Sequence, residues 1–147
     1  MILFINASKD AHGTTAEIAD NLIANDYQTL NLVDYVVYPL GQAQRADDQF
    51  SEVIAAVKEA DQLVIGTPVY WSSMSAYMKI LIDRMTDYMS SDNPFQNKKL
   101  SLIIDGFEPS DAIEPITHIW EHVTRRFGMQ LISVSTSIAE ARKQQIK

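Results

Sequence analysis

Residues 6–15 read Asn6-Ala7-Ser8-Lys9-Asp10-Ala11-His12-Gly13-Thr14-Thr15, a stretch of hydroxyls and small residues around one glycine. It follows an apolar run and precedes an amphipathic one. A segment of this kind opens a helix with a row of free backbone N–H groups. The helix end adds a partial positive charge, which makes a ready phosphate cradle. The stretch lacks the Gly-Lys-Ser/Thr of an ATP-type loop and the Gly-x-Gly-x-x-Gly of a dinucleotide turn. Simple capping of the helix by Thr14 or Thr15 is the competing reading. His12 could bond a phosphate or stand in solvent.

Two further segments carry chemistry. Gly66-Thr67-Pro68-Val69-Tyr70-Trp71-Ser72-Ser73 sets a Tyr-Trp pair beside backbone amides, and aromatic faces next to amides suit a flat, polar-edged ring such as a flavin. One of the two rings covering the sheet edge is the plainer alternative. Asp105-Gly106-Phe107-Glu108 could close one side of a pocket, or could be a turn that needs its glycine. His118-Ile119-Trp120-Glu121-His122 matches a zinc-protease pattern, with both imidazoles on one helix face. That helix reads as a sheet cover without a third ligand, so the pair fits an interface better. Lys79 and Asp83 form an i, i+4 pair.

The elements that position these segments follow from hydropathy. Ile2–Ile5 and Leu63–Ile65 are short unbroken apolar runs, the pattern of strands buried on both faces, and Leu100–Ile104 and Leu131–Val134, each apolar but for one serine, read as the fourth and fifth strands. A second strand is expected within Gln28–Tyr38, carried by Leu30, Leu32, Val36 and Val37. Helices are expected over 14–25, from a cap at Asp47 or Asp48, after a loop through Ser73 to about Met89, from Asp111 or Pro115 to Phe127 with Gly128 as stop, and over 138–146. Five strand–helix units with short connections demand a parallel sheet with helices on both faces. The expected fold class is α/β, a three-layer sandwich on a five-stranded parallel sheet. In such sheets ligands sit at the carboxyl ends of the strands. Loops 6–14, 66–73 and 105–111 all fall at that end.

Composition removes whole classes. The chain has 147 residues, 12 basic and 19 acidic side chains, a net charge of −7 and no cysteine. Its length suits one domain, residues 1–147. Without cysteine there is no disulfide framework, iron–sulfur cluster or thiol nucleophile. The acidic balance argues against nucleic acid and anionic membrane as partners. No signal peptide or membrane span is evident, so a cytoplasmic setting is expected. Asn6-Ala7-Ser8 and Gly66-Thr67-Pro68 stand where a receiver domain needs its acids, and a low-molecular-weight phosphatase would need a loop cysteine.

Ser8-Lys9-Asp10-Ala11-His12-Gly13-Thr14-Thr15-Ala16 resembles, without a gap, the Ser-Pro-Arg-x-x-Gly-Asn-Thr phosphate loop of flavodoxin-like NAD(P)H-dependent FMN reductases and quinone reductases. The stretch Thr67 to Arg84, with its Pro-x-Tyr, Ser, Lys and Asp-Arg spacing, resembles that family more specifically still. Here Lys9 replaces the family's Pro, Asp10 its Arg and Thr14 its Asn, and Asp105-Gly106 stands for a Gly-rich turn.

The resemblance implies a flavodoxin-like sheet in the order 2-1-3-4-5 holding FMN. The phosphate would sit on Ser8, Gly13, Thr14 and Thr15. The ring would rest against Pro68, Val69, Tyr70, Trp71 and Ser72, with Asp105 and Gly106 at its other edge. It also implies NAD(P)H as co-substrate, a small-molecule electron acceptor such as a quinone or flavin, and a homodimer. Backbone amides of 66–73 would stabilise charge on the reduced ring, and no side chain is required as a general acid. A flavodoxin-type electron carrier and a flavin-free binding or regulatory relative remain the alternatives. The first loop lacks the compact Thr-x-Thr-Gly-x-Thr spacing of the carrier.

Overall fold

In the computed structural model, which describes residues 1–147, every side chain of β1 (Ile2–Asn6) is buried. This interior strand is covered on both faces, as its unbroken apolar run requires. Chain order continues through α1 (Thr14–Leu22), β2 (Tyr27–Asn31), α2 (Phe50–Glu59), β3 (Gln62–Tyr70), β4 (Ser73–Met74) and α3 (Ala76–Met85). It ends with β5 (Lys99–Asp105), α4 (Ile113–Phe127), β6 (Gln130–Ser135) and α5 (Ile138–Lys143). The five long strands are all parallel, in the order β2-β1-β3-β5-β6. This is the expected order, with one addition: β4 is an antiparallel stub on the end of β3.

Strand alternation divides the interior. Leu3, Ile5, Leu63, Ile65, Leu100, Leu102 and Ile104 face α2, α3 and α4. Ile2, Phe4, Val64 and Ile103 face α1 and α5. Trp120 of α4 is fully buried in the larger core, where its Nε1 donates to Met78 Sδ at 3.3 Å. Gly128 ends α4 in the left-handed region, φ 68°, as its placement predicts.

Three expectations shift. The second strand stops at Asn31, because its ladder partner β1 ends at Asn6, the residue paired with Asn31. Val36 and Val37 therefore lie outside the sheet. The Val36 N–H donates to Gln49 Oε1 at 2.8 Å, and the Gln49 N–H donates back to the Val36 carbonyl at 2.7 Å. Segment 66–70, expected as loop, continues β3, because Thr67 and Pro68 have Ile104 and Asp105 beside them on β5. The first and last helices are shorter than expected. α1 ends at Leu22 and α5 at Lys143, after which Ile146 bridges to Ile23.

Candidate functional site

The register brings the ends of three strands level: Asn6 lies beside Gly66, and Pro68 beside Asp105. The loop after β1 is held by its own side chains. Asn6 Oδ1 accepts from the Ser8 N–H at 3.0 Å, and Ser8 Oγ from the Asp10 N–H at 3.1 Å. Asp10 Oδ1 accepts from the His12 N–H at 3.0 Å. The Asp10 carboxylate thus closes a turn beneath Gly13, whose Cβ position lies 3.2 Å from Asp10 Oδ2. Beyond it the N–H groups of Gly13, Thr14, Thr15 and Ala16 have no partner in the chain, and no side chain caps α1. By contrast Ser75 caps α3 and Ser137 caps α5. A helix start with free donors and no cap is chemically an anion seat.

The β3–β4 hairpin turns on two residues, Trp71 at φ 49° and Ser72 at φ 59°. Two left-handed central residues define a primed turn, which favours Asn-Gly and strains Trp and Ser by about 1–3 kcal/mol each. Ser72 Oγ donates to Asp111 Oδ2 at 2.5 Å, tying the turn to the loop after β5. The Trp71 and Ser72 N–H groups bond nothing within the chain. Replacing the pair by Trp71→Asn and Ser72→Gly is expected to raise stability by about 1 kcal/mol, since relief of strain exceeds loss of the Ser72–Asp111 bond. That corresponds to a Tm rise of roughly 2–4 °C, which a thermal melt at neutral pH checks.

The third segment packs directly on this hairpin. Gly106 has φ 147°, and a Cβ there would stand 3.2 Å from the Val69 nitrogen, so only glycine fits. Asp105 is buried beneath it and accepts a 2.7 Å hydrogen bond from Thr15 Oγ1. Burial pushes the Asp105 carboxyl above its usual range, and the Thr15 bond opposes that rise. Two clefts open here. One of about 590 Å³ runs from Thr14 past Asp105 and Gly106 to Thr136 and Ser137. The other, of about 910 Å³, lies between Val69, Trp71 and Ser72 and the segment 107–111.

Of the residues singled out in the sequence, Ser8 and Thr15 are buried, and His12 and Thr14 are exposed at the rim. Pro68 is buried in β3, and Tyr70, Trp71 and Ser72 are exposed at the hairpin. Thr15 spends its hydroxyl on Asp105, so only its backbone N–H faces outward. Sequence reasoning assigned no individual role to four residues of the site, Ser75, Thr67, Asp111 and Phe107, although Thr67 and Phe107 lie in segments it singled out. Ser75 Oγ donates to the Ala7 carbonyl at 2.6 Å, and Thr67 Oγ1 accepts from the Ser75 N–H at 2.9 Å, joining the first two loops. Asp111 holds the hairpin, and Phe107 projects beside it. The Ser spaced for an N-cap before α3 was the available signal for Ser75; nothing local marks Asp111. His118 is exposed, 3.7 Å from Glu121 at Nδ1, and no group of three candidate ligands forms a metal centre.

Comparison with known proteins shows the family and the fold. The family model described as NADPH-dependent FMN reductase matches residues 1–143. The Bacillus subtilis protein YwqN, named as an NAD(P)H-dependent FMN-containing oxidoreductase, is 23% identical over 143 residues, covering 87% of this chain and 79% of its own. Among solved structures, the Trp repressor binding protein of Bacillus subtilis superposes with a TM-score of 0.81 at 20% identity, over 100% of both chains. General stress protein 14 of Treponema denticola, solved in complex with FMN, superposes with a TM-score of 0.68 at 14% identity, over 97% of this chain and 92% of its own. With a parallel sheet of the flavodoxin order and a match over nearly its whole length, the chain belongs to the NADPH-dependent FMN reductase family.

Proposed function

We propose that residues 1–147 act as one FMN-binding domain that oxidises NAD(P)H and reduces a small acceptor such as a quinone or flavin. The observation that carries this reading is the uncapped start of α1, with its free N–H groups beside the Ser8–Gly13 turn. The FMN phosphate would sit there on the N–H groups of Gly13, Thr14 and Thr15. The Ser8 hydroxyl accepts from Asp10 and keeps its own proton to donate. Lys9 is exposed alongside and supplies positive charge to a dianion, and His12 is exposed beside it as a hydrogen-bonding group. The Asp10 carboxylate accepts from the His12 N–H and so shapes the turn rather than pointing at the free donors alone. The ring would lie along Pro68, Val69, Tyr70, Trp71 and Ser72, with Asp105 and Gly106 at its far edge.

Bound FMN supplies the hydride chemistry; the chain supplies orientation and field. The turn leaves the Trp71 and Ser72 N–H groups without partners, and preorganised donors of this kind would stabilise negative charge developing on the ring. The closed contact of Gly106 on Val69 keeps the two ring-bearing segments at a fixed separation. For a quinone the overall reaction is NAD(P)H + H⁺ + quinone → NAD(P)⁺ + hydroquinone. A homodimer and a cytoplasmic setting belong to this reading; no helix is long and apolar enough to cross a membrane.

The purified protein is expected to bind FMN at micromolar concentration, seen as a perturbed visible flavin spectrum. Anaerobic stopped-flow mixing with NADPH or NADH should then bleach that spectrum rapidly. No binding at micromolar FMN overturns the cofactor assignment. Binding followed by sluggish bleaching with both nucleotides overturns the reductase and leaves an electron carrier.

A further inference from the structure

Trp71 and Phe107 are the two most exposed large apolar side chains of the molecule, at 100% and 99%. They stand on different segments, at the hairpin turn and just after β5, yet both border the same cleft of about 910 Å³. A tryptophan held in open water by a strained backbone conformation is costly twice over, and such features gather at ligand clamps. The clasp between Ser72 and Asp111 and the packing of Gly106 on Val69 fix the two segments relative to each other. The aromatics are therefore mounted on a rigid frame.

The charge of this cleft is equally specific. Glu108 and Asp111 border it, and no lysine or arginine does. The adjoining cleft, which shares Ser110 and Asp111, adds Glu114 and Glu121. A flavin nucleotide offered as free acceptor carries a phosphate dianion, which this surface repels. A neutral or cationic planar ring meets aromatic faces without that penalty, and a cation gains from both the faces and the carboxylates.

We infer that Trp71 and Phe107 form an aromatic clamp for the electron acceptor, and that the acceptor class is an uncharged or cationic planar ring, with neutral quinones favoured over free flavin nucleotides. This inference rests on the proposed reductase activity and narrows its acceptor.

The test is direct binding without reductant, using menadione as the neutral probe and 1,4-naphthoquinone-2-sulfonate as the anionic one. The chain has no cysteine, so neither quinone is captured by a thiol. Equilibrium dialysis on FMN-loaded protein should give a menadione Kd that rises at least tenfold with Phe107→Ala or Trp71→Ala and is largely kept with Trp71→Phe. The sulfonate should bind at least fivefold more weakly than menadione at low salt, and the gap should shrink at high salt. A second readout is fluorescence, since Trp71 is exposed and Trp120 is buried. In a Trp120→Phe background, menadione should quench the remaining emission saturably.

Equal menadione affinity in the wild type and both alanine variants overturns the clamp. Equal affinity for the two quinones overturns the charge selection. Sedimentation that shows Phe107→Ala dissociating a dimer while its menadione Kd stays unchanged assigns the rings to a subunit interface, and also overturns the clamp. FMN titration of the same preparations reads the earlier proposal separately. Protein that binds menadione through these residues but never binds FMN overturns the cofactor assignment and leaves the aromatic site standing.

Discussion

Arg84→Ala is expected to cost about 3–5 kcal/mol of stability, the price of stranding a buried charge. Arg84 is only 4% exposed. Its guanidinium grips Asp48 with both terminal nitrogens, at 2.7 and 3.0 Å, and also donates to the Tyr38 carbonyl at 2.8 Å and to Asp87 at 2.9 Å. It lies over the Phe50 ring, 4.6 Å from the centroid. One side chain of α3 thereby anchors the irregular stretch 35–49 and the start of α2, where Asp48 also accepts from the Phe50 N–H. A Tm loss of roughly 10–15 °C should accompany the change. Arg84→Lys should rescue little, because an ammonium cannot make the bidentate pair. Arg84→Met combined with Asp48→Leu should be milder than Arg84→Ala alone, since neither charge is then left unpaired.

The same pair sets an acid limit. Hydrogen bonds from Arg84 lower the Asp48 carboxyl from 3.8 to about 2. The folded value is depressed, so its contribution is complete above pH 3.8 and is lost as pH falls through about 2. The loss is about 2 kcal/mol in denaturant titrations across that window. In Arg84→Ala the dependence should flatten or reverse. A wild type whose stability is level between these pH values would contradict the ion-pair account.

Gly66→Ala should be the second large effect, and it reaches the candidate site. The new Cβ would lie 2.5 Å from Thr15 Cγ2 and 3.1 Å from Phe4 Cε2. The glycine serves space here, since β3 must pass close beneath the first turn of α1. Overpacking of this kind costs about 1–3 kcal/mol, and relief requires α1 to lift off the sheet. That movement carries the free N–H groups of the proposed phosphate seat with it, so FMN Kd should rise at least tenfold along with the fall in Tm. Adding Thr15→Ser removes the clashing methyl while keeping the hydroxyl that Asp105 accepts from. Recovery of both stability and FMN affinity in the double variant identifies the clash as the cause. Recovery of neither places the damage elsewhere.

Much of this site could be read before the fold was seen. Unbroken apolar runs mark strands covered on both faces, and alternation of strands with helices requires parallel pairing. Together they put residues 6–14, 66–73 and 105–111 at one edge. What local sequence does not carry is register. That β3 runs on to Tyr70 depends on β5 reaching Asp105 beside Pro68. That Val36 and Val37 leave the sheet depends on β1 stopping at Asn6. Both are facts about a neighbouring strand's length. The Thr15–Asp105 and Ser72–Asp111 bonds join residues far apart in the chain, so no spacing rule announces them. The turn at Trp71 and Ser72 runs against local preference, and local inconsistency of that sort belongs at functional sites.

The two faces of the sheet are unequally filled: the α2–α3–α4 side holds 26 buried apolar residues, the α1–α5 side nine. Opening free energies follow buried apolar contact, so amide hydrogen exchange is expected to show α1 and α5 opening before α2, α3 and α4, below the cost of global unfolding. The proposed phosphate seat is the start of α1. FMN captured at that seat would therefore act on the side of the sheet with the smaller buried core. FMN that binds only the closed form shifts that local equilibrium by its full affinity, and flavin loading becomes a measure of order on one face of the sheet.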